Sequence, residues 1–233
     1  MARRSFLLIP ILLLAGCVQH PIGPATAPLS PAAEVQEIAD ADAAQYEFAG
    51  MRAVEGKVLP LAARVVKRGA YDLTLTLEDG KTIDFADSPL CARENWEHDC
   101  VRYVLQAWLP SRHAFVVSEM KDEAGRYWLV DARSGAKLAI GGPPHFSPDG
   151  ARFVTFDNDE ENDADGIRIW VRKGAGYESE WNREQIADFV RWDGNDRILV
   201  TLSPPPDNDG KLGQGHAGAL VRSASGWSVA PIR

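Results

Sequence analysis

The chain has 233 residues, with 33 Asp and Glu against 25 Lys and Arg, a formal charge of −8 at neutral pH. An acidic surface repels phosphate, which excludes the basic footprint that nucleic-acid binding requires and disfavours lying flat on an anionic bilayer. The length suits one domain with a real hydrophobic core.

The amino terminus reads Met1-Ala2-Arg3-Arg4-Ser5-Phe6, two cations ahead of an apolar run that ends at Leu14. That arrangement is a secretory signal. It is far shorter than the ~20 apolar residues needed to span a bilayer. The run closes in Leu14-Ala15-Gly16-Cys17, which resembles the lipobox of bacterial lipoproteins. The resemblance implies removal of residues 1–16, lipid on the Cys17 sulfur and a membrane anchor, because two or three acyl chains hold stably where one is marginal. Val18, not Asp, follows Cys17; by resemblance to the enterobacterial sorting rule this favours the outer membrane, facing the periplasm. Arg3-Arg4-Ser5-Phe6-Leu7 also resembles a twin-arginine export motif, so Sec and Tat routes both stay open.

Residues 17–33 contain Pro21, Pro24, Pro28 and Pro31 with no apolar period and read as a disordered, extended tether. Residues 34–233 then form a single domain. Val35, Ile38 and Ala39 lie at helical spacing within Glu34 to Phe48. From Val54 the pattern predicts strands. Leu73, Leu75 and Leu77 alternate with polar residues, Glu78-Asp79-Gly80-Lys81 makes a turn, and Thr82 to Phe85 returns as a hairpin arm. With Cys17 lipidated in an oxidising compartment, Cys91 and Cys100 are left as a pair close enough for a disulfide. The alternative, a metal or redox site, lacks CxxC spacing and has only His98 nearby.

Three later segments share one plan: an aromatic, a turn and a β-rich run. They begin at Trp108, Phe146 and Trp192, 38 and 46 residues apart. Next strands follow at Tyr127–Val130, Ile167–Val171 and Ala219–Arg222, and last strands at Lys137–Ile140, Tyr177–Trp181 and Trp227–Ile232. Such a period suits four-stranded propeller blades. Phe146-Ser147-Pro148-Asp149-Gly150, followed by Arg152-Phe153-Val154, resembles the FSPDG signature of TolB-type and WD-repeat-like β-propellers. In that signature Pro148 pre-sets φ and Gly150 takes positive φ. The resemblance implies an all-β fold, an incomplete or four-bladed propeller-like array of antiparallel sheets, with Val54 to Phe85 supplying the fourth. An open curved array or a sandwich is the alternative. The overall layout also resembles secreted bacterial proteins without an established activity.

Asp157, Asp159, Asp163 and Asp165 precede Gly166 in the densest acidic run and are the candidate ligands of a weakly bound Ca²⁺, which takes six to eight oxygens. Solvated hairpin loops are the plainer reading. The five histidines show no zinc spacing, and no nucleophile elbow, P-loop or dinucleotide fingerprint occurs. No other cofactor and no nucleic acid is therefore expected. Trp96, in the acidic loop between Cys91 and Cys100, is a candidate for contact with an envelope protein partner. The leading expectation is a non-catalytic, membrane-anchored binding or envelope-assembly module. The alternatives are a cell-envelope glycan or peptide hydrolase using loop carboxylates such as Asp157 or Asp163, and an inhibitor that plugs a foreign hydrolase.

Overall fold

The structure is a computed structural model that describes residues 48–92, 100–121, 124–157, 166–204 and 213–232. Cys17 and the tether lie outside the described residues. Helix α1 (Phe48–Ala62) corrects the expectation of strands from Val54. Val54, Val58 and Ala62 recur every four residues and are all buried, which is a helical stripe. Gly56 and Pro60 conceal it, because both are poor helix formers. Pro60 stands in the last turn, where its missing N–H weakens the ladder just before the helix stops.

Among the described residues, all remaining regular structure except one short 3-10 turn (Pro89–Ala92) is β, in four antiparallel sheets. Sheet I joins β1 (Val66–Arg68), β2 (Asp72–Thr76) and β3 (Thr82–Ala86). Sheet II is the meander of β4 (Val101–Leu109), β5 (Ala114–Lys121), β6 (Ala124–Asp131) and β7 (Lys137–Ile140). Sheet III repeats it with β8 (His145–Phe146), β9 (Arg152–Asp157), β10 (Gly166–Lys173) and β11 (Gly176–Arg183). Sheet IV repeats it again with β12 (Ala187–Trp192), β13 (Arg197–Leu202), β14 (His216–Ser223) and β15 (Gly226–Pro231). Among the described residues no sheet closes into a barrel.

The three expected repeats are visible in strand register. Trp108 pairs with Phe115, Phe146 with Phe153 and Trp192 with Ile198, each across the turn that follows the aromatic. The first strand of sheets II and IV also carries the same irregularity. Gln106 and Val190, each two residues before the aromatic, are bulged out of the pairing.

The core lies in three layers, one between each successive pair of sheets. Leu73, Leu75 and Phe85 of sheet I meet Leu105, Phe115 and Val117 of sheet II under α1. Leu109, Val116 and Leu129 of sheet II meet Phe153 and Trp170 of sheet III. Val154, Ile167 and Ile169 of sheet III meet Ile198, Val200 and Leu220 of sheet IV. The inner strands of sheets II and III, such as β5 and β9, thus show apolar residues on alternate positions to two different neighbours.

Strand β4 is an edge, and unpaired edge amides are a liability. Here carboxylates cover them. The Leu105 amide donates to Glu55 Oε1 of α1 at 2.9 Å, and the Tyr103 amide donates to Asp87 Oδ1 at 2.9 Å. Arg68 lies between the two acids, 3.5 Å from Glu55 Oε2 and 3.3 Å from Asp87 Oδ2. The three side chains are 3–10% exposed, so each buried charge has its opposite beside it, as burial demands. Four residues after Asp87, Cys91 forms the expected disulfide with Cys100, with Cα atoms 5.0 Å apart.

Candidate functional site

The turn Ser147–Gly150 is built as its sequence suggests. The Gly150 amide donates to the Ser147 carbonyl at 2.8 Å, and Gly150 takes φ +66°. The buried Ser147 hydroxyl donates to Asp149 Oδ1 at 2.7 Å and accepts from the Arg152 amide at 3.0 Å. Asp149 Oδ1 also accepts from the Ala151 amide at 2.9 Å. Burial alone would raise the Asp149 pKa, but these hydrogen bonds and nearby Arg152 hold it below the ordinary carboxylate range.

These turns touch one another along one end of the sheets. Glu78, in the turn of sheet I, bonds His113 Nδ1 in the turn of sheet II. Arg112 of sheet II reaches into the turn of sheet III, with Nη2 3.4 Å from the Ser147 carbonyl and its guanidinium 5.5 Å from the Phe146 ring centre. A Cβ on Gly150 would collide with Arg112 Nη1, so glycine serves the positive φ and any larger residue would push this cation aside. The Asp149 amide then donates to Asn195 Oδ1 in the turn of sheet IV at 3.2 Å.

Beside Arg112 a cleft of about 210 Å³ opens between sheets II and III. Ala114, Leu129 and Leu138 of sheet II form one wall, and Gly176 and Tyr177 of β11 form the other, with Arg112, Lys137 and Asp131 as its charged members. Arg112 bonds no carboxylate among the described residues. Asp131 Oδ1 is taken by the amides of Arg133 and Ser134 at 3.0 and 2.7 Å. Tyr177 packs edge-on to Phe153 at 4.9 Å, and its hydroxyl accepts from Arg172 Nη2 at 2.9 Å.

The corresponding place between sheets III and IV is sealed. Arg152 donates through Nε and Nη2 to Glu180 at 2.7 and 3.3 Å, Trp227 Nε1 donates to Glu180 at 3.0 Å, and Arg222 lies 3.3 Å from the same carboxylate. Burial would raise the Glu180 pKa; the bonds from Arg152 and Trp227 and the two guanidinium charges outweigh it and lower it.

Of the residues singled out from sequence, Ser147, Pro148, Asp149 and Gly150 lie in the turn contacts, and Cys91 and Cys100 are joined. Asp157 ends β9 and packs against Gly141, where an added Cβ would meet Asp157 Oδ2 at 2.3 Å. Asp159, Asp163, Asp165, Trp96 and Cys17 lie outside the described residues. Among the described residues no cluster of three or more His, Cys, Asp or Glu is arranged to hold a metal, and no helix is long and apolar enough to cross a membrane. His145 is packed, stacked on Phe189 at 3.9 Å, with its carbonyl accepting from Trp192 Nε1 at 2.9 Å.

Sequence reasoning missed Arg112, Asp131 and Tyr177. One signal was present: in the aligned turns Arg112 stands where the second repeat has Gly150, and an Arg in a glycine position has to point somewhere. Comparison of the chain with family profiles, with curated proteins and with solved structures finds no match.

Proposed function

We propose that this protein is a lipid-anchored extracytoplasmic binding module, its four sheets serving as blades of an open propeller-like array. The carrying observation is the Cys91–Cys100 disulfide in a chain whose Leu14-Ala15-Gly16-Cys17, after an apolar run, resembles a lipobox. A disulfide persists in oxidising compartments, and the lipobox resemblance supplies both the export and the anchor. Lipid on Cys17 attaches the molecule to a bacterial membrane, the outer one by the residue after it, with the tether lifting the sheets clear.

The binding role, with an envelope protein as partner, is supported by the cleft between sheets II and III. It is a concave, mainly apolar site with a few polar groups, which is the usual form of a recognition site. Non-catalytic action is supported by the commitment of the buried acids: Glu55 and Asp87 serve edge amides and Arg68.

Replacing Cys17 by Ala tests the anchor. The wild-type protein is expected in the membrane fraction with diacylglycerol and fatty-acid mass on its first residue, and Cys17→Ala in the soluble fraction without it. A mature wild-type protein that keeps residues 1–16, or that carries no lipid, overturns the proposal.

A further inference from the structure

We infer that the cleft between sheets II and III is a receptor for one carboxylate carried on a small apolar group. The inference rests on the binding-module reading and names its ligand chemistry. The argument is an internal comparison of two equivalent junctions. Strand register makes Arg172–Tyr177 of sheet III the counterpart of Arg222–Trp227 of sheet IV, since each pair sits directly across its own hairpin. Register likewise makes Ala114 of sheet II the counterpart of Arg152 of sheet III, each preceding the phenylalanine that pairs with the anchor aromatic.

Between sheets III and IV, Arg222 and Trp227 receive the carboxylate of Glu180. Glu180 is the extra residue of a bulge, because Trp170 pairs with Ser179 and Ile169 with Trp181. The equivalent strand of sheet II has no bulge: Val130 pairs with Lys137 and Leu129 with Leu138 without a shift. Between sheets II and III the receiving cation and aromatic are therefore present, and none of the described residues supplies a carboxylate to them. Neither Arg112 nor Arg172 bonds a carboxylate among the described residues.

The cleft's size and walls set the rest of the ligand. About 210 Å³ holds roughly seven waters at ~30 Å³ each. That is below the usual range for whole small-molecule ligands, about 300–1,000 Å³, and suits a single residue-sized group. Leu129, Leu138 and the Tyr177 ring favour an apolar body. Arg112 and Lys137 on the lining are opposed by Asp131, which leaves one positive charge over, so a monocarboxylate fits where a phosphate dianion does not. A guanidinium is the cation suited to a planar carboxylate. Two sources share this chemistry, a free acylated amino acid and the carboxyl end of a peptide chain.

The test uses the full lipidated protein in detergent and calorimetric titration with acetyl-Ala-Ala-Ala-Leu as free acid, its carboxamide, N-acetyl-leucine and inorganic phosphate. The acid is expected to bind at least about tenfold more tightly than the amide, the loss of a charged hydrogen bond, and phosphate is expected not to compete. Equal binding of the tetrapeptide and N-acetyl-leucine assigns a small-molecule source; tighter binding of the tetrapeptide assigns a chain terminus.

Arg112→Gln and Gly176→Leu should each reduce acid binding about tenfold or more. Gly176 lines the cleft and has no atom within 4 Å of an added Cβ, so a leucine is accommodated at the cleft without displacing Arg112, and this variant decides the matter alone if Arg112→Gln misfolds. Equal binding of acid and amide, no binding of either, or full binding by Gly176→Leu overturns the inference. Cross-linking in whole envelopes separates this from failure of the broader reading: a partner captured equally by wild type and Gly176→Leu leaves the binding module standing and removes the carboxylate receptor.

Discussion

The junctions on the two faces of sheet III are built from equivalent strands and end up with opposite character. Toward sheet IV, Arg152 and the bulged Glu180 bring a bidentate ion pair into contact with Trp227 and Arg222. Toward sheet II, Ala114 replaces the arginine and an unbulged β7 omits the acid, leaving an aromatic cluster of Phe146, Phe153, Trp170 and Tyr177 beside a cleft. One inserted residue and one substitution thus separate a locked interface from a receptive one. A repeat lets a fold keep its stacking while changing a single junction, because each sheet contacts only its neighbours.

The largest effect expected is at the aromatic cluster, which has to hold the open junction without an ion pair. Phe153 is fully buried and touches Phe146, Trp170 and Tyr177. Phe153→Ala should cost about 3–5 kcal/mol, measured by chemical denaturation. A cost below about 1 kcal/mol would mean that the cleft side of sheet III contributes little to holding the sheets together.

The locked junction should yield next. Glu180→Ala leaves Arg152, only 11% exposed, without its acceptor, and should cost about 2–3 kcal/mol at pH 7, by the loss of hydrogen bonds between charged groups. At roughly 2–4 °C per kcal/mol for a chain of this size, the melting point falls by about 4–12 °C. The pH dependence has a definite sign. The folded pKa of Glu180 is depressed, so its contribution is complete above the ordinary glutamate value of 4.5 and disappears as pH falls through the folded value. Wild type and Glu180→Ala should therefore converge in strong acid; a gap that stays constant from neutral pH into acid would show that packing, not charge, seals the interface.

A smaller change probes the bridge between the junctions. Gly150→Ala imposes a Cβ at φ +66° and against Arg112, and should cost about 1–3 kcal/mol. Pairing it with Arg112→Gly should recover part of that loss, because the strain at φ remains and the collision does not. No recovery would place Arg112 away from the turn in solution.

What the sequence disclosed and what it withheld follow from how far apart the interacting residues lie. The anchors Trp108, Phe146 and Trp192 were legible because each pairs across a short turn, six or seven residues on. The Ser147–Gly150 turn was legible because its bonds are local. Helix α1 was obscured by Gly56 and Pro60; its stripe is stabilised by sheets that come later in the chain. The bond from Leu105 to Glu55 spans fifty residues, and nothing in either segment announces the other. The cleft was the least legible feature. It exists because β7 lacks a residue that β11 has, and an insertion within Gly176–Arg183 carries no mark of its own in the sequence.

The finest test of the comparison supplies the missing acid from within the protein. Leu138 lines the cleft and is the register counterpart of Trp181, the neighbour of Glu180. A glutamate placed on a purely apolar wall costs several kcal/mol unless it is paired. Leu138→Glu and Leu138→Gln remove the same leucine and differ only in charge, so their difference isolates what the cleft does with a carboxylate. With Arg112 and the Tyr177–Arg172 pair at hand, the glutamate variant should be the more stable by about 0.5–1.5 kcal/mol at pH 7. That advantage should vanish below the ordinary carboxylate range, where the side chain is neutral in both states. A glutamate variant less stable than the glutamine variant at neutral pH would mean that the two junctions differ in more than a bulge and an arginine, and that the cations beside the cleft are not placed to receive an acid.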